Sequence, residues 1–291
     1  MKFSKILPSR FRKDEVKIPV VKMHGAIMSG GSSPFKQNLN IASVAEPLQR
    51  AFEMKKAPIV AISMNSPGGS PVQSRLIHSR IRELAQQHNK RVLIFVEDVA
   101  ASGGYLISLA GDEIIVDETS IVGSIGVVAA TFGFDKAIAK IGVERRVYTA
   151  GKNKVGLDPF QPENKGDIAH IKKLQKEIHD VFINMVKESR GDKLDEKADL
   201  FNGLYWTGKT AKELGLVDTL GSMSAVLKER YGEKTELVLM QAKRGLLGRT
   251  QPSISMGGAS LGNIGAQIAQ SLPESILNTA SEKALWAKYG L

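Results

Sequence analysis

The sequence predicts an α/β fold in which helices cover a layered and largely parallel sheet. Two observations predict this class. Short apolar runs, typical of buried strands, alternate with stretches that carry apolar residues at helical spacing. Glycine-rich turns at residues 65–70 and 99–104 each follow such a run and precede such a stretch.

The first part of the chain supplies two strands and two helices. Residues 16–27 alternate apolar and polar side chains, which predicts the first strand. Helical spacing of apolar residues predicts a helix over 41–54, and Pro58 introduces a buried strand over 59–64. The first glycine-rich turn then leads into a helix over 72–87.

The second part repeats this alternation. A strand is predicted over 91–96, a turn over 97–104 and a helix over 105–110. A short strand over 113–116 follows, and then a glycine-kinked extended run over 121–128. The repeated units of strand, strand and helix favour a layered sheet over an all-helical protein.

The last third of the main body is richer in helix. A helix is predicted over 134–141 and a strand over 144–149. Residues 163–189 carry one apolar face and predict a long amphipathic helix. A helix over 223–231 and a strand over 236–240 complete the pattern.

Composition divides the 291 residues into three parts. Residues 1–15 form a basic tail, residues 16–242 the main domain, and residues 243–291 an arm that begins rich in Gly and Ser. We expect an amphipathic helix over 264–289, broken near Pro273. The pattern does not decide whether that helix packs on a partner subunit, on the main domain or on lipid.

The net charge of +10 is concentrated partly in the tail, where cations alternate with apolar side chains such as Phe3 and Phe11. Such a tail either lies on an anionic membrane surface or is solvated. No continuous apolar run follows the charges, and no run approaches the ~20 apolar residues of a spanning helix. Aromatic residues are 6% of the chain, without a basic stripe around them, so we expect no nucleic-acid binding. We expect a cytoplasmic protein, or one peripheral on the cytoplasmic face of the membrane.

Metal, thiol and nucleotide chemistry have no convincing signal. The five histidines are scattered and the chain has no cysteine, so we expect neither a zinc site nor a disulfide. Residues 203–210 match the phosphate-loop pattern, but no buried strand precedes them and bulky side chains occupy the loop. Thr207 is better interpreted as the cap of a short helix that begins at Gly208. We therefore expect no cofactor.

Ser102 is the candidate nucleophile. It lies among small residues at a predicted strand-to-helix turn, and Gly103 and Gly104 leave room for a substrate. The helix that follows would direct backbone N–H groups and a partial positive charge toward an oxyanion beside Ser102. The alternative is a tight helix–sheet contact that requires small residues for packing alone.

A serine nucleophile needs a group that takes its proton, and no histidine has a suggestive neighbourhood. A lysine can serve if burial or nearby positive charge keeps its amine neutral. Lys152 and Lys154 lie in a loop after a predicted strand, close to Leu157 and Phe160. The alternative is that both lysines are solvated surface charges, as most lysines are.

Five segments of the sequence together resemble the motifs of one known protein family. They are Asn-Ser-Pro-Gly-Gly from residue 65, Ala-Ser-Gly-Gly-Tyr from residue 101, Gly-Ser-Ile-Gly-Val from residue 123, Lys-Val-Gly-Leu-Asp-Pro-Phe from residue 154, and residues 208–218. In this order they resemble the signal peptide peptidase A family, also called protease IV, whose members are serine peptidases with a Ser/Lys dyad. The resemblance covers about residues 16–240 and is to the short, single-domain form.

The resemblance implies catalytic roles for three residues. Ser102 would be the nucleophile, and Lys154 would be the general base, because it holds the family's position before the Asp-Pro-Phe segment. Ser124 would orient the lysine amine, as a third group orients the base in a catalytic triad. The resemblance also implies that backbone N–H groups of Gly68 or Gly69, together with Gly103, form an oxyanion hole.

The resemblance further implies a crotonase-like, or ClpP-like, fold of repeated ββα units in a superhelix. It implies a ring- or dome-shaped homo-oligomer in which Ser102 and Lys154 come from adjacent subunits. The substrates would be extended apolar peptides such as signal-peptide remnants. Family members usually carry an N-terminal membrane span that this sequence does not show, so soluble peptides and peripheral access to a membrane both stay open.

Two other functions are compatible with the sequence. One is an acyl-thioester enzyme on the same fold, in which the oxyanion glycines would serve equally well. The other is a non-catalytic assembly protein that keeps the fold as a scaffold. The base distinguishes the first alternative, because a thioester hydratase or isomerase normally uses a carboxylate where a Ser/Lys peptidase uses an amine.

Overall fold

A computed structural model describes residues 15–29, 38–241 and 282–291. The predicted basic tail, apart from its last residue, lies outside the described residues. So do residues 243–281 of the predicted arm, including the predicted break at Pro273. Residues 282–287, which fall in the predicted C-terminal helix, are helical.

The first half of the fold alternates strands and helices. Its elements are β1 (Lys17–His24), α1 (Ile41–Glu53), β2 (Ile59–Ser66), α2 (Pro71–His88), β3 (Arg91–Ala101), α3 (Gly103–Ser108), β4 (Glu113–Val116) and β5 (Ile121–Gly123). Polar caps fix the helix starts, since the Asn40 and Ser70 side chains accept hydrogen bonds from the first turns of α1 and α2.

The second half contains the longest helix and the shortest strands. Its elements are α4 (Asp135–Lys140), α5 (Lys165–Arg190), β6 (Tyr205–Thr207), α6 (Gly208–Glu213), β7 (Thr219–Leu220), α7 (Met223–Tyr231) and β8 (Glu236–Met240). The Thr207 side chain accepts a hydrogen bond from the Thr210 N–H at the start of α6, so the predicted cap is confirmed.

The strands form one sheet in the order β6-β5-β3-β2-β1-β8, and every pair along it is parallel except β5 with β6. The long strand β3 pairs first with β4, over Leu93–Val96, and then with β5, over Val99–Ala101. The α/β class predicted from the sequence is therefore confirmed. The sheet branches at β3, because one edge of this strand pairs with two different strands.

Alternating residues of the central strands enter two hydrophobic clusters on opposite faces of the sheet. Val21 and Met23 of β1 lie in the larger cluster, together with the buried faces of α1 and α2. Ile18 and Val20 of the same strand lie in the smaller cluster, which α7 covers. This period of two is the expected geometry of a sheet buried on both faces.

Two sequence-based expectations are wrong. The turn predicted over 97–104 is strand as far as Ala101, because β5 pairs with this part of β3 and extends it beyond the charged residues Glu97 and Asp98. The strand predicted over 144–149 is not formed. No strand in the described part of the chain pairs with it, and Tyr148 is 92% exposed, so its alternating pattern has no partner to face.

Arg190 anchors the end of α5 to the segment after α6. Its guanidinium, 4% exposed, donates two hydrogen bonds to the Asp218 carboxylate, at 2.9 and 3.0 Å, and one to the Gly215 carbonyl, at 2.8 Å. Burial would raise the pKa of Asp218, but hydrogen bonds from Arg190, Lys193 and the Ile114 N–H outweigh it and lower the pKa to about 2.

We expect the Asp218→Asn substitution to destabilise the protein by about 3 kcal/mol at pH 7, because it leaves the buried Arg190 cation without its counter-charge. The folded pKa of Asp218 lies below its ordinary value, so the wild-type stabilisation is present above about pH 4 and is lost as the pH falls toward 2. Urea unfolding at pH 7 and pH 3 measures both effects. The exposed Asp192→Asn variant is the matched control, and equal stability of the two variants at pH 7 would contradict the prediction.

Candidate active site

Ser102 lies at the junction of β3 and α3 in a strained backbone conformation, with φ 51° and ψ −120°. Its N–H donates to the Gly123 carbonyl at 2.8 Å, and its carbonyl accepts from the Leu106 N–H at 2.9 Å. The backbone is thus held at both ends, whereas the hydroxyl forms no hydrogen bond with any described residue. A serine held under strain with a free hydroxyl is typical of a functional position.

Close backbone packing explains the glycines around Ser102. Gly68 has φ 98°, and a Cβ there would lie 2.8 Å from the Ser102 Cβ. A Cβ at Gly104 would lie 2.6 Å from the Ser66 carbonyl oxygen. The packing interpretation of the small residues is therefore correct for these positions, and it is compatible with a catalytic interpretation of Ser102.

The three glycines expected to supply oxyanion N–H groups differ in their hydrogen bonding. The Gly68 N–H donates to Ser66 Oγ at 3.2 Å. The N–H groups of Gly69 and Gly103 have no hydrogen-bond partner within the described ranges. The two residues are close, since a Cβ on Gly103 would lie 3.4 Å from the Gly69 nitrogen, and both line the same pocket as Ser102.

Ser124 occupies the equivalent position at the end of the neighbouring strand. It follows β5 directly, has φ 54°, and is 5% exposed. Its N–H donates to the Leu204 carbonyl at 2.7 Å. Because Ala101 pairs with Gly123 in the parallel ladder, Ser102 and Ser124 leave the sheet side by side.

Lys154 does not meet Ser102 within one chain. It lies on residues 128–164, here called the exposed segment, in which the described side chains are mostly exposed. Its side chain forms no hydrogen bond or ion pair with any residue that the structure describes, and Lys152 is exposed as well. The segment also exposes large apolar side chains, with Phe132 78% and Ile141 74% exposed.

A pocket of about 360 Å³ opens beside Ser102. Its lining is mainly apolar and comes from three helices and from the chain after β5. Its apolar lining residues include Val72, Leu76, Leu106, Val127, Val181 and Phe182. The sequence predicted the apolar face of α5 correctly, but no local pattern indicated that part of this face lines a pocket beside the serine.

The C-terminal residues also reach this site, which the sequence did not predict. Lys288 Nζ donates to Ser124 Oγ at 3.2 Å. The Tyr289 ring packs edge-on against the Tyr205 ring, with centroids 5.0 Å apart. Burial raises the pKa of the Tyr289 phenol, and the nearby Ser124 hydroxyl offsets only part of that effect. These residues lie far from Ser124 in sequence, so no spacing pattern could have revealed the contact.

The described part of the chain contains no cluster of histidine, aspartate and glutamate that could hold a metal ion. In the same residues, every helix is too short or too polar to cross a membrane.

Fold and site together define an α/β protein with a strained serine beside an apolar pocket and beside two backbone amides that have no partner among the described residues. The sequence model of peptidase family S49 matches residues 84–235, which is more than half of the chain. The chain therefore belongs to peptidase family S49, the family of the signal peptide peptidase A proteins that its motifs resemble. Membership also confirms the crotonase-like, ClpP-like fold that the resemblance implied.

Similar proteins include a chloroplastic serine protease SPPA from Arabidopsis thaliana, 29% identical over 81% of this chain and 34% of that protein. A putative protease from Synechocystis is 26% identical over 93% of this chain and 95% of its own length. A Brucella abortus protein named Na(+)/H(+) antiporter NhaA is 60% identical over 99% of this chain. The chain spans 39% of the length of that protein.

We expect the Ser102→Gly variant to be more stable than the Ser102→Ala variant by about 1 kcal/mol, because only glycine adopts this backbone conformation without strain. Both variants lose the hydroxyl, so the difference between their free energies of unfolding reports the backbone strain at this residue. Urea unfolding of the two variants measures that difference. Ser79, on the exposed face of α2, is the matched control, and there the alanine variant should be the more stable one. A Ser102→Ala variant as stable as Ser102→Gly would show that no strain is stored at this residue.

Proposed function

We propose that this protein is a serine endopeptidase in which Ser102 is the nucleophile and Lys154 of an adjacent subunit is the general base. The observation that carries the proposal is the Ser102 hydroxyl itself. It is held under backbone strain, without a hydrogen-bond partner in the described residues, beside free amides and an apolar pocket. Acyl transfer needs a free nucleophile, donors for the oxyanion and a pocket for the substrate at one place.

The oxyanion hole is assigned to the N–H groups of Gly69 and Gly103. Neither N–H donates to any residue that the structure describes, so both can donate to a developing oxyanion, and both residues line the pocket beside Ser102. Of the two alternatives that the family resemblance left, Gly69 is favoured over Gly68, because the Gly68 N–H already donates to Ser66 Oγ. Gly68 instead supports the site through packing against Ser102.

The base is assigned to a neighbouring copy because one chain leaves the Ser102 hydroxyl and the Lys154 amine apart. The exposed segment that carries Lys154 presents apolar side chains to water, including Phe132 and Tyr148, which is typical of a surface that another protein covers. A second copy that covered this segment would also desolvate its lysine, and desolvation favours the neutral amine that a base requires. Ser124 would then receive and orient that amine.

In the proposed reaction, Ser102 Oγ attacks the peptide carbonyl carbon while the Lys154 amine accepts the hydroxyl proton. The tetrahedral oxyanion lies against the Gly69 and Gly103 amides. The peptide C–N bond then breaks, and Lys154 returns the proton to the leaving amine. Water, activated by the same lysine, hydrolyses the acyl-enzyme and regenerates Ser102. The cycle uses no metal or cofactor.

Extended apolar peptides, such as signal-peptide remnants, are the proposed substrates. Val72 and Leu76 from α2 and Val181 and Phe182 from α5 line the pocket beside Ser102, so an apolar side chain adjacent to the scissile bond would be bound there. A ring or dome of subunits would admit unfolded chain only. The basic tail would allow such an oligomer to contact an anionic membrane surface from the cytoplasmic side.

The shared site is tested by subunit complementation. Ser102→Ala and Lys154→Ala should each lower kcat by at least about 1,000-fold on a casein or lipopeptide substrate. When the two variants are co-expressed in equal amounts, about a quarter of the sites combine an intact Ser102 with an intact Lys154, and activity should return to that extent. Peptidase assays on the purified mixed oligomer measure the recovery.

Lys152→Ala is the matched control for the base, since it removes a neighbouring exposed lysine and should leave the rate unchanged. Unchanged hydrolysis by Ser102→Ala would contradict the assignment of Ser102 as the nucleophile. Absence of complementation would contradict a site shared between two subunits. A protein that cleaves acyl thioesters but no peptide would support the acyl-thioester alternative. An intact oligomer with neither activity would support the scaffold.

The pocket is tested by the Leu76→Asp variant. A carboxylate in the apolar pocket should lower kcat/KM by about 10- to 100-fold for peptides with an apolar side chain before the scissile bond. Gln87→Asp places the same charge on the exposed side of α2 away from the pocket and should have no effect. Equal kcat/KM values for the two variants would show that this pocket does not bind the substrate side chain.

A further inference from the structure

Residues 282–291, here called the C-terminal segment, are docked beside Ser124. The Lys288 amine donates to Ser124 Oγ at 3.2 Å, and the Tyr205 hydroxyl donates to the Lys288 carbonyl at 3.1 Å. Both the backbone and a side chain of this segment therefore contribute to the contact.

Two aromatic rings surround the Lys288 amine. Its nitrogen lies 5.4 Å from the centre of the Tyr289 ring and 5.9 Å from the centre of the Tyr205 ring. Tyrosine faces attract ammonium groups at this range. The arrangement holds an amine on the Ser124 hydroxyl by one hydrogen bond and two cation–π contacts, which is a more specific contact than a surface lysine normally makes.

In the proposed function, Ser124 receives and orients the Lys154 amine of an adjacent subunit. Ser124 is 5% exposed, so little of its surface is open to a second amine. The amine of Lys288 therefore lies where the base would have to lie. Lys288 itself is exposed to solvent, whereas an amine that acts as a base must be desolvated.

We propose that the C-terminal segment is an autoinhibitory plug. In the free subunit Lys288 occupies the place of the base on Ser124, and an arriving subunit displaces it with Lys154. This proposal rests on the proposed peptidase function, and it adds that the chain holds its own site inactive until subunits assemble. The plug and the neighbouring subunit compete for one hydroxyl, so the active assembly forms only at a higher subunit concentration than unplugged subunits would need.

The test uses the full chain and two lysine variants. Lys288→Ala should raise peptidase activity about threefold or more at dilute protein concentration, where free subunits prevail, and should have little effect on the assembled protein. Lys283→Ala changes an exposed lysine of the same segment and should have no effect at either concentration. Unchanged or reduced activity of Lys288→Ala at dilution would overturn the plug, and a reduction would make Lys288 a contributor to catalysis instead.

A second measurement does not depend on activity. An amine-reactive acylating reagent, read by mass spectrometry, should modify Lys288 more slowly than Lys283 in dilute wild-type protein, and the difference should vanish in the Ser124→Ala variant. Equal rates in the wild type would overturn the docked state. A different result would contradict the proposed peptidase function itself: neither the assembled wild type nor the dilute Lys288→Ala variant would cleave any peptide.

Discussion

The hydrogen bond from the Ser102 N–H to the Gly123 carbonyl, at 2.8 Å, is the contact on which the site depends. It continues the parallel ladder in which Ala101 faces Gly123, one step beyond the end of β3. Ser102 and Ser124 consequently turn out of the sheet together, with φ values of 51° and 54°. Each such conformation costs about 1–3 kcal/mol and persists only where its surroundings determine it. Strand register thus sets the spacing between the proposed nucleophile and the residue that orients the base.

The surroundings that hold this turn are dense and fully buried. Tyr105, three residues after Ser102, is buried and donates to the Leu216 carbonyl at 2.7 Å, which ties α3 to the segment after α6. Gly68 and Gly104 bring the β2–α2 turn and α3 into backbone contact with one another and with Ser66. The proposed nucleophile is therefore fixed by the core of its own subunit. The proposed base lies instead on the exposed segment, whose α4 helix has no buried residue. This unequal support is what a site completed by a second subunit would require.

Local patterns predicted the parts of this fold that local physics determines. The α7 helix and the β8 strand match their predicted bounds, and α5 matches to within two residues, because the apolar period and the caps lie within each segment. The end of β3 was missed, since Glu97 and Asp98 interrupt its apolar run. Those two carboxylates accept hydrogen bonds from the side chains of Ser63 and Asn65 in the neighbouring strand β2. The sequence of β3 alone contains no sign of these partners.

The site itself was predictable only as far as its motifs are contiguous. Ser102 and its glycines form one motif, and their positions in the turn follow from it. The contact of Lys288 with Ser124 does not follow from any motif, because it joins residues 164 positions apart. Two amines of this chain, one on the exposed segment and one near the C-terminus, have the same hydroxyl as their target in our proposals. Ser124 is 5% exposed and its hydroxyl already accepts from the Lys288 amine, so a second amine has too little room to bind there at the same time. A single small acceptor, positioned by strand register, is thereby sufficient to make docking of the C-terminus and assembly of the active site mutually exclusive states.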